Sequence, residues 1–118
     1  MSRGPGQLQR QILALALRNR QDPPVGYKGG PRNVDLFAAD VMANVYGYEL
    51  TGRLGGQRIA FTAADERHYR RARAAISRAF RSLARQGLVL NFGRWIRLTE
   101  AGERYALTIS VRTDNVNS

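Results

Sequence analysis

The chain of 118 residues is long enough for one domain with a modest core, and we expect a single domain over 1–118 with flexible ends at 1–6 and 111–118. It carries 19 basic against 9 acidic residues, a net charge of +10, and such a positive field favours a nucleic acid, or less often an acidic membrane surface or acidic protein, as partner. The absence of cysteine excludes disulfides, thiolate catalysis and cysteine-ligated zinc, and the apolar run at 12–17 is too short for a membrane span or signal peptide, so we expect a cytoplasmic, nucleoid-associated protein.

The first predicted helix covers residues 7–20. Apolar side chains recur on one of its faces, and Arg20 lies in its last turn, where a cation opposes the helix dipole.

Residues 21–33 contain three of the four prolines and must form a loop or arm. Its cations, Lys28 and Arg32, either lie along a nucleic acid backbone or are simply solvated.

A second helix is predicted over residues 36–46, with Asp35 as its N-cap and Gly47 as its end. Val34, just before it, could make one or two strand-like pairings. The connector 48–62 is the least readable part of the chain, because glycines interrupt it.

Within the connector, residues 57–62 could form a short strand and hence a small hairpin. The third helix is predicted over 63–86. Thr62 followed by Asp65 resembles a capping box, and Gly87 is placed as a helix-terminating glycine. An alternative is a break near residues 68–71 into two shorter helices.

The third helix has two different faces when it is plotted at about 100° per residue. Its apolar stripe comprises Tyr69, Ala72, Ile76, Ala79, Phe80 and Leu83. The opposite face collects Arg67, Arg70, Arg71, Ala74, Ser77, Arg78, Arg81 and Arg85. No acidic residue lies between Glu66 and Glu100, so we expect nothing nearby to neutralise these arginines. Solvated helix faces usually mix both signs of charge, and this crowding of one sign therefore favours contact with a polyanion.

The C-terminal part predicts a hairpin and a last helix. Two apolar, β-prone runs, 88–92 and 95–99, flank a two-residue turn at 93–94. The last helix covers 100–110, with Thr99 as its N-cap.

This order of elements is that of winged helix-turn-helix domains. Residues 76–89, ISRAFRSLARQGLV, resemble the junction between recognition helix and wing in winged-helix transcription regulators. Residues 98–102, LTEAG, are similar to the LTxxG that ends the second wing strand in the MarR- and PadR-like groups, and 45–47 resembles a common end of the second helix. The resemblance covers about residues 7–110 and implies an α+β, mostly helical fold: three core helices, a short two-stranded wing and a C-terminal helix. The long connector 48–62 and the very short wing depart from the family pattern.

The resemblance also implies roles for the third helix, 63–86, as the recognition helix in the major groove of duplex DNA. The residues placed at base edges are Arg73, Ala74, Ser77 and Arg78. The residues placed at phosphates are Arg70, Arg71, Arg81 and Arg85. Arg94, at the wing tip, would add a limited minor-groove contact.

Trp95 has two interpretations. Alternation along the second hairpin strand puts Ile96 and Leu98 on one face, and Trp95 and Arg97 on the other. If the first pair is buried, Trp95 is exposed enough to touch DNA or a dimer partner. Otherwise it caps the core at the base of the hairpin.

Catalysis has little support in the sequence. His68 is the single histidine and has no second histidine or cysteine with which to form a metal site. The glycines at 52–56 lack the pattern of a phosphate-binding loop. No nucleophile is paired with a base, and we therefore expect neither enzyme activity nor a metal or cofactor.

The expected function is sequence-specific binding of double-stranded DNA by a small transcription regulator. The alternatives are a plasmid or phage replication, partition or architectural protein of the same fold, or an interaction module for an acidic partner. Family analogy predicts a homodimer through helices 7–20 and 100–110. RNA is disfavoured, since the sequence shows no surface aromatics interleaved with its basic residues.

Overall fold

The computed structural model describes residues 5–22, 34–51, 58–60 and 65–117 of the chain. They form a mostly helical α+β structure, which confirms the predicted class at that level. The elements, in chain order, are α1 (Gln7–Gln21), β1 (Leu36–Phe37), α2 (Ala38–Tyr46), β2 (Glu49–Thr51), β3 (Arg58–Ala60), α3 (Glu66–Arg85), β4 (Val89–Asn91), β5 (Trp95–Leu98) and α4 (Glu100–Asn117). The predicted arm with Lys28 and Arg32, the glycines of 52–56 and the capping residue Thr62 lie outside the described residues. No helix in the described part is both long and apolar enough to cross a membrane.

The main sheet has three antiparallel strands in the order β1–β5–β4, one more than the two-stranded wing that was predicted. The added strand, β1, pairs Leu36 with Ile96 and Phe37 with Trp95. Leu36 and Ile96 are both buried in the core. A strand of two residues is enough here, because it adds hydrogen bonds to β5 while it buries one large apolar side chain.

The predicted start of the second helix is wrong. α2 begins at Ala38, and Asp35 is not its N-cap. The N–H of Asp35 donates to the carbonyl of Ile96 at 3.0 Å, and its carboxylate accepts the N–H of Leu98 at 2.7 Å. Asp35 therefore forms hydrogen bonds with strand β5 and does not cap α2. The predicted end is confirmed, since Gly47 has the left-handed φ of 78°.

The predicted small hairpin in the connector is confirmed by β2 and β3. They pair antiparallel, with Leu50 opposite Ile59. The hairpin lies between α2 and α3, where a helix-turn-helix usually has a tight turn.

α3 is continuous from Glu66 to Arg85, so the alternative of a break near residues 68–71 is wrong. The predicted start at residue 63 lies outside the described residues. Its end follows the prediction: Gly87 has a φ of 77°, and the N–H groups of Gly87 and Leu88 donate to the carbonyls of Ala84 and Leu83, each at 3.0 Å. These are the two bonds of a Schellman motif, which needs a left-handed residue where glycine stands.

The core contains the apolar face of α1 together with one face each of α2 and α3 and the inner side of the sheet. Its buried members are Ile12, Leu13, Ala16, Leu17, Leu36, Val41, Met42, Ala72, Ile76, Ala79, Phe80, Leu83, Val89, Ile96, Leu98 and Ala106. The face of α1 is thus covered within one chain, since Ile12, Leu13 and Ala16 are fully buried without a partner subunit.

α4 begins as predicted and ends later than predicted. Thr99 is its N-cap: the hydroxyl accepts the N–H of Gly102 at 3.0 Å and donates to the carbonyl of Gly87 at 2.6 Å. The helix continues past Ser110 to Asn117. The segment after Ser110 is polar but holds neither glycine nor proline, so nothing in its backbone chemistry stops the helix at that residue.

Candidate nucleic-acid interface

The two faces of α3 are arranged as the sequence predicts. Ala72, Ile76, Ala79, Phe80 and Leu83 are buried, and Tyr69 is half-buried. The eight residues of the opposite face and the predicted base-edge residue Arg73 are all exposed: Arg67, Arg70, Arg71, Arg73, Ala74, Ser77, Arg78, Arg81 and Arg85. One long helix therefore joins the core on one side and presents a basic surface on the other. We call this surface the α3 basic face.

Two arginines of the α3 basic face have partners within the protein. Arg70 forms an exposed ion pair with Glu66, one turn earlier, at 2.7 Å. The guanidinium carbon of Arg73 lies 5.9 Å from the centroid of the Tyr69 ring, a cation–π distance. We expected nothing nearby to neutralise this face. That expectation is wrong for Arg70, because Glu66 at the start of the helix pairs with it.

Five more arginines lie on this face. Within the described residues, none of the ion pairs involves Arg67, Arg71, Arg78, Arg81 or Arg85. Side chains on one face of a helix lie close together, so these cations repel one another in the free protein. A polyanion that screens them relieves that repulsion.

A groove of about 640 Å³ separates the C-terminal half of α3 from the first turn of α1. Arg78, Arg81 and Arg85 line one side, and residues 6–9 line the other. The side-chain amide of Gln86 donates to the side-chain oxygen of Gln9, one of the residues that line the groove, at 3.0 Å. The first turn of α1 carries no acidic residue, so the positive end of its helix dipole adds to the field of the arginines.

The hairpin of β4 and β5 presents its own outer face. Ile96 and Leu98 are buried, which leaves Trp95 and Arg97 on the outer side with Leu90, the residue opposite Arg97. Trp95 is half-buried and does not cap the core. Its ring is stacked on that of Phe92, with centroids 4.0 Å apart and planes inclined by 16°.

Phe92 was missed in the sequence. It is 52% exposed, and exposed Arg94 and Arg97 flank it along the hairpin. The conclusion that surface aromatics are not interleaved with basic residues is therefore wrong. Alternation could have found it, because the register that buries Val89 against Leu98 also turns Leu90 and Phe92 outward.

A partly buried ion-pair cluster holds the hairpin against the helices. Arg20 of α1 contacts Asp35 at 2.7 Å and Glu103 of α4 at 2.6 Å, and it also donates to the carbonyl of Leu98 at 3.0 Å. Burial disfavours its charge, but the hydrogen bonds to Glu103 and Asp35 outweigh that cost and the pKa of Arg20 is raised. This arginine is neutralised internally, so its role is structural and goes beyond the helix-dipole contact that was predicted.

His68 belongs to an aromatic cluster that packs between the end of α2 and the start of α3. Its ring lies 6.0 Å from that of Tyr48 and 6.3 Å from that of Tyr46. Tyr48 in turn makes an edge contact with Tyr69. Burial of the Tyr48 hydroxyl raises its pKa, and the charge of Asp65 adds to the effect. Within the described residues, no group of three or more histidines and carboxylates is placed to hold a metal ion.

Comparison with known proteins gives no match: no protein-family model, no curated protein and no solved structure resembles this chain closely enough to be identified as a relative. The case for its function therefore depends on the chemistry of its own surfaces.

Proposed function

We propose that the protein is a winged helix-turn-helix protein that binds duplex DNA sequence-specifically as a small transcription regulator. The observation that carries the proposal is the α3 basic face, a row of exposed arginines on a helix whose other side is anchored in the core. A helix is the element that fits the major groove, and arginine is suited to both phosphate and guanine contacts.

The connectivity supports the winged-helix part of the proposal. α1, β1, α2 and α3 are followed by the β4–β5 hairpin, and β1 pairs with β5 beside it. In this reading α2 and α3 form the helix-turn-helix and the hairpin is the wing. The β2–β3 pair is then an insertion in place of the usual turn.

The proposed contacts divide by position on α3. Arg73, Ala74, Ser77 and Arg78 would face base edges, and Arg70, Arg71, Arg81 and Arg85 would hold phosphates. Arg70 would exchange Glu66 for a phosphate oxygen, and Arg73 would leave the Tyr69 ring. Arg81 and Arg85 already line the groove against α1, where a phosphate would meet several positive groups at once. Arg94, in the hairpin turn, would add a limited contact in the minor groove.

The salt dependence of binding tests the proposal. If about six phosphates are neutralised, the logarithm of the binding constant falls against that of salt with a slope of about −5. Arg81→Ala should weaken binding to all duplexes and make that slope shallower by about 1, whereas Arg78→Ala should lose about 1–3 kcal/mol on the preferred sequence and relax the preference. Alanine keeps the helix propensity, so folding is preserved.

Arg104→Ala is the matched control, because Arg104 is an exposed helical arginine on α4 whose ion-pair partner is Glu100. It removes the same charge away from the α3 basic face and should leave affinity and slope unchanged. The proposal is wrong if no duplex binds, or if the Arg78 and Arg81 variants behave like the Arg104 variant. Selection from a random duplex pool supplies the preferred sequence.

We further propose that the protein acts as a homodimer through α1 and the first part of α4. Leu107 supports this part, since it is a large apolar side chain on α4 that is 41% exposed. The buried face of α1 gives no support, because the chain covers that face itself.

A further inference from the structure

The outer face of the β4–β5 hairpin carries an apolar surface between two cations. Its apolar members are Leu90, Phe92 and Trp95, and Arg94 and Arg97 stand beside them. Two of the three most exposed large apolar side chains in the described residues, Leu90 and Phe92, belong to this hairpin. The α3 basic face does not include them, so duplex binding through that helix leaves their exposure unexplained.

We propose that this surface binds an unpaired base of a single-stranded nucleic acid, stacked on Phe92. One side of the Phe92 ring is covered by Trp95 at 4.0 Å in a nearly parallel arrangement. Trp95 stacks on one side only, and Phe92 keeps 52% of its surface exposed, so the proposed base takes the opposite side. A base placed there would extend an existing aromatic stack by one layer.

The stack is held in place before any ligand arrives. The N–H of Phe92 donates to the carbonyl of Trp95 at 3.0 Å, which fixes the two residues opposite each other at the end of the hairpin. The Asn91 side chain accepts the N–H of Gly93 at 2.9 Å and orders the turn. A ring that does not have to be ordered on binding costs little conformational entropy.

The charges around the stack select a nucleic acid. Arg94 and Arg97 are exposed, and no acidic residue occurs in the sequence between Glu66 and Glu100. A stacked base brings its phosphates close, and the two arginines can hold them. Stacking on aromatic rings combined with a cationic backbone track is the common mode of single-strand binding. A base inside a duplex is covered on both faces by its neighbours, so only an unpaired base fits.

Charge also argues against a second copy of this protein on the same surface. A two-fold contact between two hairpin faces would bring the Arg94 and Arg97 side chains of both copies together, and like charges in a desolvated interface are costly. An acidic or aromatic protein partner remains an outcome of the test.

Trp95 makes the proposal directly measurable, because it is the single tryptophan of the chain. Titration with a short oligothymidylate should quench its fluorescence in a saturable manner, and a duplex of equal phosphate content should quench it less. An abasic oligomer of the same length and charge is the ligand control. It should bind roughly 5- to 150-fold more weakly than the oligothymidylate, the loss expected for one stacked base.

Phe92→Leu and Phe92→Tyr form a matched pair of variants. Leucine keeps an apolar side chain without a π-face and should weaken oligothymidylate binding, measured by anisotropy of a labelled strand, to the level of the abasic oligomer. Tyrosine keeps the ring and should retain wild-type affinity. Duplex affinity should be the same in both variants, which separates this site from the α3 basic face.

Equal binding of the abasic oligomer and the oligothymidylate to the wild-type protein would overturn the proposal, even if the leucine variant failed to fold. Unchanged single-strand affinity in a folded Phe92→Leu protein would also overturn it, and would leave the ring pair with a role in hairpin stability only. Self-association that Phe92→Leu abolishes, without single-strand binding, would assign the surface to a protein contact. Because duplex and single strand are measured separately, this proposal can fail while the duplex proposal holds, and the reverse.

Discussion

The carboxylate of Asp35 joins α1 to the sheet, and its partner Arg20 extends the contact to α4. It is 6% exposed, its carboxylate accepts from Arg20 and from the N–H of Leu98, and its carbonyl accepts the side-chain amide of buried Asn19 at 2.9 Å. Arg20 then continues the chain of contacts to Glu103. Loss of this one carboxylate would leave a partly buried cation and a buried N–H with too few acceptors.

We therefore expect Asp35→Ala to lower the free energy of unfolding by about 2–3 kcal/mol, less than the loss for a fully buried pair because the Arg20 side chain is 29% exposed. Asp35→Asn keeps an acceptor for the N–H of Leu98 and should cost less. Urea denaturation followed by circular dichroism measures both.

Glu100→Gln is the control, since it removes an exposed pair with Arg104 one helical turn away and should change stability by no more than about 0.5 kcal/mol. An Asp35→Ala protein as stable as this control would show that the cluster contributes nothing.

The same residue shows where a local pattern fails. An aspartate just before an apolar helix has the pattern of an N-cap, and the interpretation was wrong because its partners are distant in sequence. Arg20 precedes Asp35 by 15 residues, and Glu103 is 83 residues from Arg20. No short window contains these contacts. The exposed arginines of α3, by contrast, follow from helical periodicity alone and were predicted correctly as one face.

The hairpin and α4 meet at a close contact between their backbones. In the LTEAG segment, the N–H of Thr99 donates to the carbonyl of Leu88 at 3.1 Å, and Gly102 lies against the same carbonyl. A Cβ added to Gly102 would stand 1.8 Å from the Leu88 oxygen. The glycine is required because the first turn of α4 crosses the start of β4 at backbone contact.

Gly102→Ala should therefore destabilise the protein by about 1–3 kcal/mol, because the added methyl group clashes with the backbone. The sign of this change in stability is the test, because alanine in an open helical position is more stable than glycine by about 1 kcal/mol. Ala101→Gly, at the exposed neighbouring position, should cost about 1 kcal/mol and serves as the comparison. Thermal unfolding of both proteins gives the two values, and a stabilised Gly102→Ala would contradict the close packing of α4 on the hairpin.

Elements with a strong local pattern were predictable from the sequence. α1 and α3 each repeat a helical apolar spacing over several turns, and the two apolar runs of the β4–β5 hairpin flank a turn that contains glycine. β1 was not predictable as a strand, because Leu36–Phe37 is too short to show alternation and its pairing with β5 is long-range. The length of α4 was underestimated, since polarity after Ser110 is not itself a helix stop.

The net charge of +10 opposes the proposed dimer, because it makes two copies of the chain repel each other. Two such chains repel at low salt, so the interface must supply enough apolar contact to overcome this repulsion. The internal core already uses the apolar face of α1. Outside the hairpin, Leu107 of α4 is the exposed large apolar side chain of the described residues, and we assign the dimer contact to it.

We expect the protein to sediment as a dimer that salt strengthens, because screening weakens the repulsion between the two basic chains. Leu107→Lys should make it monomeric by placing a charge in the apolar contact, while Arg104→Lys, a nearby exchange that preserves charge, should leave it dimeric.

On DNA, a dimer selects a two-fold symmetric site with half-sites about 34 Å apart, one turn of the duplex. The Leu107→Lys monomer should then bind a single half-site as tightly as the wild-type protein does, but lose the gain that the second half-site provides. A wild-type protein that is monomeric at all salt concentrations and selects an asymmetric site would refute the dimer while leaving the α3 contact with DNA intact.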